Sequence, residues 1–193
     1  MLARLRSLGS TYDAALRRQP LLVKMVSSGA IVSASDVTVQ TISGAEYDLR
    51  RTAILGVGYG SFCFAPIVHS VTCMWARLLP STSLPHVAFK AAVDCLTSFP
   101  VNVSAMIALQ VVAGKRELSL KLSEDVSAAI SQKLWPAVSA GWLLWPPVIM
   151  MNYKLVPLRY QVLFPNCVSF WWNTFMIWRF AGKWCHHSVI GCS

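Results

Sequence analysis

The chain has few charged residues for its length. Asp, Glu, Lys and Arg make up 13% of its 193 residues and apolar residues 55%, whereas a soluble domain carries about 25% charged residues. This number of charged residues is too small to cover the surface of a water-soluble globule of this size. Much of the surface must therefore face lipid. The apolar content excludes a disordered chain, and six cysteines are too few for a disulfide scaffold. We therefore predict an integral membrane protein whose first partner is the lipid bilayer.

The sequence also lacks a cluster of basic residues. Its formal net charge is +9, but nucleic-acid-binding proteins concentrate Lys and Arg on a patch or stripe. Here the basic residues are scattered singly or in pairs between apolar stretches. That distribution is typical of side chains that anchor a protein at the lipid headgroups. We expect no nucleic-acid partner.

Sequence patterns of soluble enzymes are missing as well. There is no P-loop, no G-x-S-x-G and no H-E-x-x-H. Cys185, His186, His187 and Cys192 near the end are metal-ligating residue types, but their spacing is not that of a zinc site. We predict that the chain is not an enzyme and that it binds no metal and no cofactor.

What the sequence does contain is a series of apolar stretches separated by charges. They cover residues 21–43, 52–76, 87–113, 134–153 and 160–178. A helix needs about 20 apolar residues to cross the hydrocarbon core, and strands of a membrane barrel would alternate over about ten residues. The pattern predicts an all-α, multi-span transmembrane helix bundle with four spans. The last stretch is marginal in length and fits either a fifth span or a segment packed against the bundle.

Three segments follow from this pattern. Residues 1–20 form an amphipathic, Arg-rich segment, residues 21–178 a single transmembrane helical bundle, and residues 179–193 a polar tail. The first segment has the composition of a mitochondrial transit peptide, with Asp13 as its one acid. It also fits an N-terminal interfacial helix of the mature protein that lies on the membrane.

Charged side chains inside the spans are the strongest functional candidates, because such residues are costly in a membrane. Lys90 and Asp94 are one helical turn apart and can pair on one face. Asp36 is about 18 Å from Lys24 along one helix, so its partner must come from another span. Two interpretations remain open: an ion or proton path through the bundle, or structural ion pairs that fix helix register.

Two further features sit in the second stretch. His69 follows Pro66 by three residues, so its side chain can satisfy the carbonyl that the proline leaves free; the other interpretation is titration or ligand binding. Gly56 and Gly60 form a G-x-x-x-G face, which allows close helix packing, within the bundle or between two copies.

Residues 141–157 read GWLLWPPVIMMNYKLVP. This segment resembles W-x-x-W-P-x-x-Q-x-x-N-F-x-x-V-P, the signature of the Mpv-seventeen / peroxisomal-membrane-protein-twenty-two family, small eukaryotic proteins of the mitochondrial inner membrane and the peroxisome. Other motifs match in order: Asp36 to Gln40 (G-D-x-x-x-Q), Tyr47 to Thr52 (D-x-x-R-T), Pro66 and His69 (G-P-x-x-H), Lys90 and Asp94 (K-x-x-x-D-Q), and Trp172 to Thr174 (W-N-T). The resemblance begins at Tyr12, Leu16 and Pro20 (Y-x-x-x-L-x-x-x-P), and it therefore favours the interfacial helix over a cleaved presequence.

The chain departs from the family pattern at five sites, where a charge, an amide or a special glycine is lost: Ile54, Ala65, Cys95, Ile149 and Gln161. The packing frame is better kept than the polar frame. The resemblance implies a set of pore-lining or intramembrane polar candidates: Asp36, Gln40, His69, Lys90, Asp94 and Asn152. It also implies a set of packing residues: Trp142, Trp145, Pro146, Pro157 and Trp172.

Two functions remain open. The resemblance implies a protein that forms or regulates a small-solute, channel-like pathway in the mitochondrial inner membrane, or alternatively in the peroxisomal membrane. The lost polar positions favour a non-catalytic accessory subunit of a larger inner-membrane complex, such as a respiratory complex, ATP synthase or a membrane-bound ribosome. The first function fits a monomer or homo-oligomer, the second a hetero-oligomer.

Overall fold

The computed structural model describes residues 2–44, 46–115 and 121–172, with side chains from Ser10 onward, and these residues contain helices and no strand. The helices are α1 (Leu2–Arg18), α2 (Pro20–Ser43), α3 (Leu49–Leu78), α4 (Leu84–Gly114), α5 (Leu122–Leu155) and α6 (residues 163–172, as far as described), with a 3-10 turn at Leu158–Tyr160 before α6. The four helices α2 to α5 are long and apolar enough to cross a membrane. The predicted all-α bundle with four spans is confirmed.

The first two spans form a tight hairpin whose ends follow from local sequence. Pro20 opens α2, where its fixed φ and missing N–H are tolerated. Gly44 ends it in the left-handed conformation, with φ 65°, which glycine adopts without a Cβ clash. Asp48 then caps α3, since its carboxylate accepts a hydrogen bond from the Arg51 amide at 3.0 Å.

The first half of α3 is wound as a π-helix over Ile54–Phe64. It lies against α2 at a glycine contact, because a Cβ on Gly60 would stand 2.9 Å from the Ser28 carbonyl oxygen. The predicted G-x-x-x-G face therefore packs within the chain. Normal α-helix resumes at Ala65, one residue before Pro66.

A proline also marks a break in α4. The helix is interrupted at Thr97, between Leu84–Leu96 and Ser98–Gly114. Pro100 follows three residues later, and its ring clashes with the carbonyl of the residue four positions before it, which is Leu96. Both charged residues of the span, Lys90 and Asp94, lie before the break.

The last span is longer than predicted. α5 begins at Leu122, not near residue 134, because the preceding polar residues continue the same helix. Its 34 residues correspond to about 51 Å, more than the about 30 Å of the hydrocarbon core. Of the predicted fifth stretch, the 3-10 turn and α6 are described up to residue 172; residues 173–178 and the tail 179–193 lie outside the described residues.

The start of α3 and the end of α4 meet at one end of the bundle, since the Arg50 guanidinium donates to the Lys115 carbonyl at 2.7 Å. At the opposite end, α1 folds back on α2, and the Tyr12 hydroxyl lies 3.0 Å from that of Ser27. Many long side chains on the outside are apolar, such as Leu143, which is 88% exposed. Several charged and amide side chains of the spans, by contrast, are buried inside, among them Lys24, Asp36 and Asp94, as expected for a protein that faces lipid.

Candidate functional site

The first buried polar cluster surrounds Asp36 in the α2–α3 hairpin. One carboxylate oxygen lies 3.1 Å from Arg51 Nε. The other accepts hydrogen bonds from Thr52 Oγ1 and Gln40 Nε2, both at 2.7 Å. The expectation that Asp36 finds its partner on another span is therefore met by Arg51 at the start of α3. The arrangement resembles the predicted structural ion pair, because the bonds from Arg51 and Thr52 join α2 to the beginning of α3.

Gln40 ties the same cluster to the turn between the helices. Its amide nitrogen also reaches Thr52 Oγ1 at 3.0 Å, and its amide oxygen accepts the backbone N–H of Asp48 at 2.6 Å. One side chain thus satisfies groups in the span and in the turn. Gln40 therefore links α2 to the turn, because both the nitrogen and the oxygen of its amide are hydrogen-bonded.

The second cluster surrounds Asp94 and joins three spans. Trp75 of α3 donates its indole N–H to Asp94 Oδ1 at 2.8 Å, and Tyr153 of α5 donates its hydroxyl to Asp94 Oδ2. All three side chains are buried. The carboxylate is therefore the point at which α3, α4 and α5 are joined by polar contacts.

Lys90 does not form an ion pair with Asp94 in the described part of the chain. Its ammonium instead donates to the Ser81 carbonyl at 3.0 Å and lies 5.6 Å from the centre of the Tyr153 ring. The lysine side chain is long enough to reach the connection before α4, where a carbonyl is available. Lys90 and Asp94 thus share a helix face, as predicted, but bind different partners.

His69 is bound from a neighbouring span. Lys24 of α2 lies with Nζ 3.0 Å from His69 Nδ1. In the sequence, Lys24 was considered only as a residue too distant to pair with Asp36, although a lone lysine near the start of a span indicates a polar partner inside the bundle. The imidazole ring of His69 is therefore hydrogen-bonded to the Lys24 ammonium. The backbone carbonyl of His69 accepts a hydrogen bond from the Thr72 hydroxyl at 3.0 Å.

Asn152 closes the turn after α5. Its amide nitrogen donates to the Gln161 carbonyl at 3.0 Å, and Gln161 Nε2 donates to the Val156 carbonyl at 3.0 Å. These bonds bracket Pro157, which precedes the 3-10 turn. Gln161, a departure from the family pattern, is thus part of the same buried contact as Asn152.

Two of the predicted packing residues of α5 contact α4 on either side of its break. Trp142 donates its indole N–H to the Cys95 carbonyl at 3.1 Å, two residues before Thr97. Trp145 is buried and packs on Phe99, with ring centres 5.8 Å apart. Pro146 lies inside the continuous helix, and Trp172 is half-buried at the last described turn of α6.

In the described part of the chain, neither of two surface depressions contains more than one of the six polar candidates. A surface depression of about 450 Å³ includes His69 but none of the other five, and a second of about 250 Å³ beside Val87 includes none of them. The structure thus divides them into four groups: Asp36 with Gln40, His69, Lys90 with Asp94, and Asn152. Within the described residues no group of three metal-ligating side chains occurs, and the tail cysteines and histidines lie outside those residues.

Residues 118–176 match the Mpv17 / PMP22 family. Over most of its length the chain is also similar to fungal proteins named SYM1. It is 29% identical to Protein SYM1 of Gibberella zeae, with 86% of this chain and 94% of the relative covered. Identity is 29% to Protein sym-1 of Neurospora crassa, over 88% and 96% of the two chains, and 25% to Protein SYM1 of Saccharomyces cerevisiae, over 87% of each. No solved structure matches. The predicted resemblance to the family is confirmed.

Proposed function

We propose that this relative of the Mpv17 / PMP22 family forms or regulates a small-solute, channel-like pathway across an organelle membrane. Asp94 carries the proposal. Its carboxylate is 5% exposed and lies within a membrane-spanning helix, where ionisable groups are costly and mark solute or proton paths. Trp75 and Tyr153 hold it by two hydrogen bonds from two other spans.

The position of Asp94 suits a gate. It lies three residues before the break at Thr97, and hinges in proteins are loop or element-terminal residues that absorb changes in φ and ψ. A shift of either half would alter the contacts to Trp75 and Tyr153 together. In the proposed pathway, this junction of three spans sets how easily a solute passes, and the chain is not an enzyme.

The membrane that we propose is the mitochondrial inner membrane, with the peroxisomal membrane as the alternative. Support comes from the Arg-rich, acid-poor residues 1–20, a composition typical of mitochondrial proteins. The structure adds that α1 is a separate helix packed on α2.

The test is conductance of the purified chain in a planar lipid bilayer, compared with Asp94→Asn. We expect ion currents from the unmodified chain and a several-fold change in conductance or open probability in the variant, because a charge at the junction is removed. Glu46→Gln, which removes an exposed charge from the α2–α3 connection, is the matched control and should behave as the unmodified chain. Absence of currents from the unmodified chain would contradict the proposal.

A specific observation favours the second function, an accessory subunit of a larger inner-membrane complex. The structure has hydrogen bonds that hold the connections between helices, as a scaffold requires, and they involve Asp36, Gln40 and Asn152.

Native-gel sizing after mild detergent extraction separates the two functions. Comigration with a respiratory, ATP-synthase or ribosomal complex would support the subunit, and a species of a few tens of kilodaltons or a small homo-oligomer the pathway.

A further inference from the structure

Lys24 is a buried cation without a carboxylate partner among the described residues. It is 4% exposed, and no ion pair includes it in the part of the chain that the structure describes. Its bond to His69 Nδ1 at 3.0 Å uses one of the three donors of an ammonium group. Buried charges are normally neutralised by an opposite charge, so the surroundings of Lys24 favour an anion.

The bond to Lys24 also defines the His69 ring. An ammonium group can only donate, so Nδ1 accepts, and the proton of the neutral imidazole lies on Nε2. The Nε2–H donor of His69 lies 3.8 Å from Cys73 Sγ, a weak acceptor, so a stronger acceptor in the depression can replace that contact. The Lys24 charge, bound at the other ring nitrogen, makes an anionic acceptor favourable there.

His69 lies in the wall of a depression that contains further donors. Its volume is about 450 Å³, which is within the range of small-molecule sites. Its lining comes from the second half of α3: His69, Ser70, Cys73, Met74, Arg77 and Leu78. His69, Cys73 and Arg77 recur every four residues, which places them on one helix face. The lining contains histidine, serine and arginine donors and no acid.

Arg77 lies at the end of the depression nearest to the end of the span. It is in the last turn of α3, one residue before Leu78, and its side chain is exposed. A guanidinium group has five donors in a planar fork that matches two oxygens of a phosphate. The depression thus runs from an exposed arginine in the last turn of the span to a histidine bound by a buried lysine.

We propose that this depression, lined by His69, Ser70 and Arg77 and backed by Lys24, binds a phosphoryl oxyanion. Arg77 and His69 contact the anion, and Lys24 is a positioning residue that orients the His69 ring and supplies charge. The phosphate comes either from the headgroup of an anionic phospholipid, since Ser70 and Met74 are exposed on the outside of the bundle, or from a free phosphate compound. Binding does not depend on whether the chain conducts solutes.

The test uses the full chain purified in an uncharged detergent and measures its thermal unfolding midpoint. Phosphatidylglycerol is titrated against phosphatidylcholine, and inorganic phosphate against chloride at equal ionic strength. A ligand that binds the folded state raises the midpoint. We expect a rise with phosphatidylglycerol or with phosphate, and the ligand that produces it identifies the source.

Two variants and one control make the test specific. Arg77→Gln changes an exposed side chain and should still fold, and we expect it to need at least about tenfold more ligand for the same rise, as loss of a charge-assisted contact implies. Lys24→Met should weaken binding similarly. Lys133→Met removes one exposed positive charge from α5 and should leave the rise unchanged. No rise with either ligand, or equal losses in Arg77→Gln and Lys133→Met, would overturn the proposal.

Discussion

Asp36 and Asp94 are two buried carboxylates in one bundle, but they are stabilised in different ways. Asp36 is bound by Gln40, Arg51 and Thr52, all within one hairpin and including a full positive charge. Asp94 is bound by Trp75 and Tyr153, which are 19 and 59 residues away and carry no charge. The first carboxylate is neutralised by neighbours in sequence, and the second is not paired with a cation by any described ion pair.

This difference separates a structural role from a functional one. A neutralised carboxylate inside a hairpin stabilises that hairpin and leaves no charge for a solute. A carboxylate held by two neutral donors has no paired cation among the described residues, and its contacts join three spans. We therefore expect substitutions at Asp36 to affect mainly folding, and substitutions at Asp94 to affect mainly function.

The strongest test of the comparison is Asp36→Asn. The change removes the charge that pairs with Arg51 and replaces an acceptor with a donor in front of Gln40 and Thr52. Breaking a buried ion pair costs about 3–5 kcal/mol, and the Arg51 side chain is 35% exposed, so part of its charge can return to solvent. We expect the free energy of unfolding to fall by about 3 kcal/mol, measured by denaturant titration in detergent.

Glu46→Gln is the control for that measurement, because it makes the same chemical change at an exposed position of the same connection. Its free energy of unfolding should stay within about 0.5 kcal/mol of the unmodified chain. If Asp36→Asn is equally mild, then the cluster does not stabilise the hairpin, and Asp36 returns to the set of pathway candidates.

A smaller effect is expected from Tyr153→Phe, which removes one donor from Asp94 and little else. A hydrogen bond to a charged group contributes about 1.5–3 kcal/mol, and Trp75 still binds the carboxylate. We expect a loss of about 2 kcal/mol in the same titration, with a change in conductance. Tyr47→Phe, at an exposed tyrosine, should change neither. A stability loss in Tyr153→Phe larger than in Asp36→Asn would reverse the comparison.

The sequence predicted the spans better than their polar contacts. Four runs of apolar residues are sufficient to predict four helices, since a helix satisfies its own backbone within one segment. The start of α5 at Leu122 was missed because polarity marks where a helix leaves the membrane and not where it ends. The break at Thr97 could have been predicted from Pro100, which occurs inside an apolar run.

Polar partners that are near in sequence could be expected, and distant ones could not. Asp36 needed a partner from another span, and Arg51 lies 15 residues away, at the start of the next helix. The bond between Lys24 and His69 depends on the rotation of α2 against α3, which the π-helical winding and the glycine contact define. Spacing along one helix also suggested a pair of Lys90 with Asp94, yet a carbonyl of the preceding connection binds Lys90.

Asp13 is a third carboxylate and lies at the surface. We expect the loss of its contacts to change the stability of the protein less than the loss of those at Asp36 or Asp94. It binds Tyr160 at 2.9 Å and Arg159 at 3.0 Å, which joins α1 to the 3-10 turn. Hydrogen bonds from Tyr160 and Arg17 lower the pKa of Asp13 below its ordinary value of 3.8. The same contact with Asp13 raises the pKa of Tyr160 above 10.0.

The signs of these shifts define a pH window for the attachment of α1. A lowered carboxyl pKa contributes stability above its ordinary value of 3.8, and this contribution is lost as the pH falls through the lowered pKa. A raised tyrosine pKa contributes below 10.0 and is lost at more alkaline pH. We therefore expect α1 to stay attached at neutral pH and to loosen only in strong acid or strong base.

At pH 7, Tyr160→Phe should increase amide hydrogen exchange in residues 10–18 and leave exchange in residues 98–114 unchanged, with little change in the free energy of unfolding. Unchanged exchange in residues 10–18 would mean that apolar contacts with α2, such as those of the buried Leu16, hold α1 without the surface carboxylate.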